Sequence, residues 1–383
     1  MRAMLQVYRA AVQVKYLTDN ALGLYIHIPF CERRCNYCDF YSAIYYKDTL
    51  NIYLSALKKE IKKWGGKTDR PIDTIYIGGG TPSLLGSEII SLADCIRTNF
   101  KVLENAEFTA EVNPRSGDSF LTYAKTAGVN RLSIGVQSGN DAMLKLLGRT
   151  HSAYDSLKTV KNARNLGFNN VSVDLITSLP GSNAESLKQD IDFILSLNAE
   201  HISSYILKIE PKTAFAKKIK SLDLKSDDES ADQYLYMCDR LENSGYEHYE
   251  ISNFSRDGKY SRHNVKYWSD CDYIGIGPSA HSFINGKRFY YAEDLNGFIK
   301  NPHTVPDGNG GGKAEKLMLG LRLSRGVDLS QIYGEIPQSI KTKVSLFEKA
   351  GYLKSNLPFI SLTDSGMLVS NSIITELSEN ENI

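Results

Sequence analysis

The sequence predicts an α/β fold: a large domain of repeated strand–helix units around a parallel sheet, followed by a smaller, mostly helical domain. Three observations predict it. Residues 23 to about 208 alternate short β-branched runs with helix-period stretches. Beyond 208 the regularity weakens, and the run DGNGGG at 307 to 312 reads as a linker. With 383 residues, 42% of them apolar and 23% charged, the chain has the composition of a globular protein large enough for one large domain and one small one.

The first twenty residues carry Arg2, Arg9 and Lys15 with no acid before Asp19, and they lack both a compact apolar stretch and a small-residue cleavage site. Residues 1–21 are therefore read as an N-terminal extension rather than a secretory signal. Six strands follow: Leu24 to Ile28, Thr74 to Ile77, Phe108 to Val112, Arg131 to Val136, Val171 to Ile176 and Ile202 to Ile206. Each is short and mostly apolar, as strands covered on both faces are. The first helix sets Leu50, Tyr53, Leu54, Leu57, Ile61 and Trp64 on one stripe, with Lys58, Lys59, Lys62 and Lys63 on a solvated face. The large domain is placed at 22–250, an aromatic and glycine-rich connecting segment at 251–312, and the small domain at 313–383. In the last, an amphipathic helix and helices near Ile340 to Ala350 and from Thr363 onward flank a short β pair.

Composition excludes several classes of function. Forty-five basic residues against 44 acidic ones leave a net charge of +1, too little to draw in nucleic acid. No run approaches the ~18 apolar residues of a membrane-spanning helix. Six cysteines are too few for an oxidised scaffold, and three of them crowd into eight positions, which points to a reducing cytoplasm.

Those three, Cys31, Cys35 and Cys38, form C-x3-C-x2-C in the loop after the first strand (YIHIPFCERRCNYCDFYS). Thiolates suit iron–sulfur clusters or zinc. Zinc is usually closed by a fourth Cys or His, but Asp39, Phe40 and Tyr41 follow, so a zinc site would need a distant fourth ligand. A [4Fe-4S] cube held by three thiolates leaves one iron open to an outside ligand. Cys95, Cys238 and Cys271 lie far apart and read as small hydrophobes.

On this motif the chain resembles the radical S-adenosylmethionine (SAM) superfamily, which implies a partial (β/α)6 barrel with its site at the C-terminal ends of the strands. The resemblance implies that GGGTP meets the amino end of SAM through Gly79, Gly80 and Thr81. Glu111 in EVNP, Gln137 in SIGVQS and Asp174 in VDLI are implied acceptors for its amino group or ribose hydroxyls. Arg149 in LGRT is the implied carboxylate fork, and Tyr25 and Tyr37 are placed near cluster and adenine. The implied chemistry is one-electron cleavage of SAM to methionine and a 5'-deoxyadenosyl radical, with the electron from a flavodoxin or ferredoxin.

YIHIPFC, NRLSIGVQS, VDLITSLPG and LMLGLRL resemble the oxygen-independent coproporphyrinogen III oxidase family over about residues 22 to 380. That family has two lines. The oxidases carry a further cysteine two positions after the third, where this chain has Phe40. The haem chaperones of HemW type carry H-N-x-x-Y-W, matched here by His263, Asn264, Tyr267 and Trp268. These four are the implied haem residues, with His281 and His27 as second choices for the iron and Cys271 as another iron donor. The implied function is binding of cluster, SAM and haem and delivery of haem to an acceptor protein, with membrane-bound acceptors met peripherally. Coproporphyrinogen oxidation is the alternative, and another radical SAM reaction such as methylation the third reading.

Overall fold

The computed structural model describes residues 20–116 and 118–378. Most of the extension expected over 1–21 lies outside the described residues. The parallel core is built from β1 (Leu22–Ile28), α1 (Lys47–Gly65), β2 (Ile72–Gly79), α2 (Glu88–Asn99), β3 (Val102–Val112), α3 (Asp118–Thr126), β4 (Arg131–Gln137), α4 (Asp141–Leu146), α5 (Ala153–Asn165), β5 (Val171–Thr177), α6 (Ala184–Ser196) and β6 (His201–Ile206). Neighbours from β1 to β6 pair in parallel. All six expected strands are present. The third begins six residues earlier than expected: Val102 already pairs with Ile72, and the exposed Glu104 and Asn105 lie in the irregular stretch before pairing resumes at Glu107.

The chain continues through α7 (Asp227–Asn243), β7 (Glu247–Glu250), β8 (Asn253–Ser255), α8 (Arg262–Trp268), β9 (Tyr273–Ile276), β10 (His281–Ile284), β11 (Lys287–Tyr291), α9 (Leu295–Lys300) and β12 (Thr304–Asn309). Segment 251–312 adds strands to the same sheet: β9 pairs in parallel with β1, and β10, β11 and β12 extend it antiparallel. The result is one twelve-stranded sheet in the order β12-β11-β10-β9-β1-β2-β3-β4-β5-β6-β8-β7. β12 and β7 are its two edges, so the partial barrel stays open. Half of the expected linker, Asp307 to Asn309, is an exposed edge strand.

The smaller C-terminal domain combines helices with a three-stranded sheet around Leu317, Ile340, Val344, Ile360 and Met367. It is tied to the barrel by the Arg322–Glu250 ion pair at 3.0 Å, by His248 Nδ1 to Asp364 Oδ1 at 2.9 Å, and by Arg322 lying 4.2 Å over the Trp268 ring.

Strand geometry decides what the core strands present, since successive side chains point to opposite faces. Leu24 and Ile26, Ile75 and Ile77, Leu132 and Ile134, and Val171 and Val173 point outward into the core beneath the helices. The alternate positions, Tyr76, Glu111, Arg131, Ser133, Asp174 and Ser203 among them, line a cavity of about 550 Å³. The strands are covered on both faces as expected, but only the outer face is apolar.

At the N-terminal ends of β1 to β3, α8 packs as a floor. The backbone N–H groups of Arg262 and His263 donate to the Glu107 carboxylate at 3.1 and 3.0 Å, placing an acid at the positive end of the helix. Lys266 Nζ pairs with Asp73 Oδ1 at 2.9 Å and donates to the Ala21 carbonyl at 3.0 Å, both side chains being almost wholly buried. Removing one partner of such a pair strands the other charge. Lys266→Met is expected to cost about 3–5 kcal/mol of unfolding free energy, and adding Asp73→Leu to recover most of it. Urea denaturation reads both variants; a double variant no more stable than the single one would show that the pair does not act as a unit.

Candidate functional site

The three cysteines hang on one loop with a closed neck. Phe30–Cys31 pairs in parallel with Ala43–Ile44, where the Tyr45 N–H donates to the Cys31 carbonyl at 2.9 Å. Between these strands, Asn36 pins the loop to the end of α4, donating from its backbone to Leu147 O at 2.9 Å and from its amide to Leu146 O at 2.8 Å. Cys35 and Cys38 are joined by a turn, Cys38 N to Cys35 O at 3.3 Å. All three thiols line the cavity. Burial pushes Cys31 up and Cys38 up to about 11, so these two are neutral thiols until a metal displaces their protons.

Two donors address the sulfurs. Thr81 Oγ1 lies 3.5 Å from Cys31 Sγ, and Arg149 Nη1 lies 3.5 Å from Cys35 Sγ. Arg149 is anchored by Nη2 to Gly135 O at 2.9 Å. Beside them Glu111 accepts from Tyr76 OH at 3.0 Å and from the Gly79 N–H at 3.1 Å. Burial and the nearby Asp174 carboxylate push Glu111 up to about 7, and burial pushes Asp174 up to about 6. Gln137 holds a left-handed backbone, φ 72°, at the end of β4, a conformation that costs energy for a non-glycine residue.

Gly79 and Gly80 are required inside the chain as well. A Cβ on Gly79, whose φ is 112°, would lie 2.6 Å from the His27 ring, and one on Gly80 would lie 2.5 Å from Phe30 O. Glycine thus lets the end of β2 close against the base of the cysteine loop.

Comparison with known proteins bears on this arrangement. A family model described as the radical SAM superfamily matches residues 25–194, and one described as the HemN C-terminal domain matches residues 314–369. The heme chaperone HemW of Bacillus subtilis (strain 168) is 36% identical over 370 residues, which span 91% of this chain and 97% of that protein. The chain belongs to the HemW family, within the radical SAM superfamily. Heme chaperone HemW of Escherichia coli (strain K12) is 38% identical over 271 residues, 69% of this chain and 70% of that one. In fold, the HemW family chain matches a solved coproporphyrinogen III oxidase (HemN) from Escherichia coli with a TM-score of 0.82, at 24% identity, over 98% of this chain and 94% of that one.

Membership implies a [4Fe-4S] cluster and SAM, and the donor set fits them. Among the described residues the only group of three Cys, His, Asp or Glu ligand atoms all within 4.8 Å of one another is Cys238, His248 and Asp364. Cys31, Cys35 and Cys38 do not form such a group. Four ligands around one zinc, with Zn–S near 2.3 Å, hold their sulfurs about 3.8 Å apart. As they stand, these sulfurs are not all as close as a single zinc ion would hold them, which fits a polynuclear cluster better.

The H-N-x-x-Y-W residues of this chain lie on α8, and of the four only one lines the cavity. Asn264 lines it. His263 is 1% exposed, with Nδ1 bonded to Thr74 Oγ1 at 2.9 Å and Nε2 to Tyr267 OH at 2.7 Å, so neither ring nitrogen is free for iron. Burial first, then the Lys266 and Arg131 charges, lower its pKa to about 3. Trp268 faces the C-terminal domain through Arg322. The two second-choice ligands stand in opposite surroundings. His27 is buried between Tyr25 OH at 3.0 Å and Tyr41 O at 3.1 Å, while His281 is exposed and stacked on Tyr290. Cys271 Sγ lies against Ser269 O. Tyr37 lines the cavity; Tyr25 packs below it against Tyr76.

Residue types alone missed Tyr76, Arg131, Ser133, Ser203 and Tyr205, all cavity-lining. The signal that finds them is period two: in RLSIGVQ every second residue shares the face of Gln137.

The raised pKa of Glu111 fixes a pH dependence. Because the folded state holds a proton that the unfolded state releases, the contribution is whole below about 4.5 and is lost as pH rises through about 7. Glu111→Gln is thus expected to match the parent at pH 4.5 and to exceed it by on the order of 2–3 kcal/mol at pH 8. Urea denaturation of metal-free protein at the two pH values decides it; equal differences at both would contradict the buried-carboxyl assignment.

Proposed function

We propose that this protein is a haem chaperone that binds a [4Fe-4S] cluster, SAM and haem and passes haem to an acceptor protein. The observation that carries the reading is the full-length similarity to proteins named heme chaperone HemW, at 36% identity over 97% of the Bacillus subtilis protein. Phe40 supports it. The oxidase line has a fourth cysteine at this position, and here a 70% exposed phenyl ring stands at the cavity mouth.

In this reading Cys31, Cys35 and Cys38 hold the cluster. When bound, such a cluster supplies an open iron for the amino and carboxylate groups of SAM and an electron for cleaving its sulfonium. The chain's own residues do the rest. Arg149 compensates the charge gathered at Cys35 and offers its fork to a carboxylate. Glu111 and Asp174 accept hydrogen bonds from an amino group or ribose hydroxyls, and their walls of Tyr76, Tyr205 and Ile176 exclude water. Exposed Phe40, Tyr205 and Ile206 give the mouth the apolar character a porphyrin face needs. Iron ligation by His263 requires breaking its bonds to Thr74 and Tyr267 and lifting part of α8. A flavodoxin or ferredoxin fits as reductant, and the cytoplasm as the compartment. No described helix is long and apolar enough to cross a membrane.

Two measurements test the reading on anaerobically reconstituted protein. Haemin titration is expected to give a Soret-shifted one-to-one complex, and incubation with reductant, SAM and coproporphyrinogen III to give no protoporphyrinogen. No haem complex, or steady protoporphyrinogen formation, would replace the chaperone with the oxidase reading. Reduced-cluster paramagnetic resonance is expected to shift on adding SAM and to vanish in Cys35→Ala.

A further inference from the structure

The cavity wall holds a cation that has no hydrogen-bond or ion-pair partner among the described residues. Arg131, at the start of β4, is 2% exposed and lines the cavity. Among the described residues no hydrogen bond or ion pair reaches its guanidinium, and its Nε is buried without an acceptor. The partner of Arg131 in the β3–β4 pairing, Thr109, is fully buried, and its hydroxyl is likewise unpartnered. The contrast with Lys266, the other buried cation of this end, is plain: that ammonium has both Asp73 and a carbonyl. A guanidinium this deeply buried without an anion is costly. Asp174 on the neighbouring strand feels its charge but makes no contact with it; Ser133 Oγ lies 3.4 Å from that carboxylate instead.

We propose that Arg131 anchors a carboxylate-binding subsite on the inner wall of the cavity, separate from the fork of Arg149. The two are set apart along one strand: Arg149 is anchored on Gly135, four residues or about 13 Å beyond Arg131 at strand rise. Ser133, Ser203 and Asn264 add hydrogen-bonding groups to the same cavity wall. A carboxylate matches the planar fork. A phosphate, with nearly two charges, would meet one free cation and the two acids Glu111 and Asp174, which disfavours it. The subsite rests on the chaperone reading for one of its two carboxylate sources, a haem propionate; the other is the carboxylate of SAM, which Arg131 would then take in place of Arg149.

The test uses the full chain, anaerobically reconstituted, with three probes: haemin and haemin dimethyl ester followed by Soret titration, and SAM followed by the paramagnetic signal of the reduced cluster. If the propionate is the occupant, wild type binds haemin about tenfold more tightly than the ester, Arg131→Gln binds both with the ester's affinity, and Arg149→Gln keeps the preference. If SAM is the occupant, Arg131→Gln weakens SAM about tenfold while the haemin-to-ester ratio stays near one in both proteins. Either result supports the subsite. Unchanged SAM affinity together with an unchanged haemin-to-ester ratio in Arg131→Gln overturns it. Should that variant not fold, Arg131→Lys and the ester comparison on wild type replace it. Arg131→Lys keeps the charge and loses the fork, so a severalfold loss for either carboxylate supports the proposal and none overturns it. Wild type that binds no haemin at all overturns the chaperone reading, and Arg131 is then judged on SAM alone.

Discussion

Alternation along a strand sends neighbouring side chains to opposite faces, and β1 to β6 use that rule to build two surfaces of opposite character. Outward, Ile26, Ile77, Ile134 and Val173 pack beneath the helices. Inward, Tyr76, Glu111, Arg131 and Asp174 face a cavity. A slip of one residue in any strand would exchange the two sets, putting charges under the helices and aliphatic groups around the cavity. Register is therefore strongly specified, and the site's geometry is a consequence of the same packing that stabilises the domain. Polar groups that face a cavity keep partners in whatever fills it, which is how so many of them can share one wall.

The two ends of this half-barrel are closed by different means. At the C-terminal ends of the strands, the neck between Phe30–Cys31 and Ala43–Ile44 and the Asn36 bonds to α4 hold the cysteine loop. That construction fixes the loop's base and leaves its sulfurs at the cavity. At the opposite end α8 is held by charge: Glu107 under its first N–H groups and Asp73 under Lys266. The same helix turns Trp268 outward to Arg322, which also bonds Glu250. One short helix thus touches the cavity through Asn264, the barrel floor through His263 and Lys266, and the small domain through Trp268.

The fold was largely legible because its signals are local. The stripe Leu50, Tyr53, Leu54, Leu57 and Ile61 is buried on α1, and each of the six named runs is a strand. The cysteine spacing was legible for the same reason, being confined to one loop. What could not be read from residue types was direction. RLSIGV looks apolar, yet Arg131 and Ser133 point inward, and only pairing partners reveal which face is the inner one. The H-N-x-x-Y-W residues read as a ligand set, but a helix distributes them around its circumference, and Thr74 and Glu107, distant in sequence, decide that His263 is satisfied within the chain. The role of segment 251–312 was hidden too, since β9 joins the sheet beside β1, some 250 residues before it in the chain.

Charge balance explains why this wall can carry two acids so close together. Burial raises both carboxyls, Asp174 to about 6 and Glu111, which also faces the Asp174 charge, to about 7, while the Arg131 and Arg149 cations work against the rise at Asp174. A ligand that brings an ammonium or a sulfonium reverses the balance, because an opposite charge at hydrogen-bond distance favours the ionised form. Each carboxyl then gives up its proton to solvent and gains a charge-assisted partner. Burial thus spares the empty fold part of the cost of two facing carboxylates, and a cationic ligand would give each ionised carboxylate a partner. Arg149, beside Cys35 and tied to Gly135, sets the complementary positive charge near the cysteines. Positive and negative groups are thus laid out along one ligand-sized space, where an occupant with both charges would find an opposite partner for each.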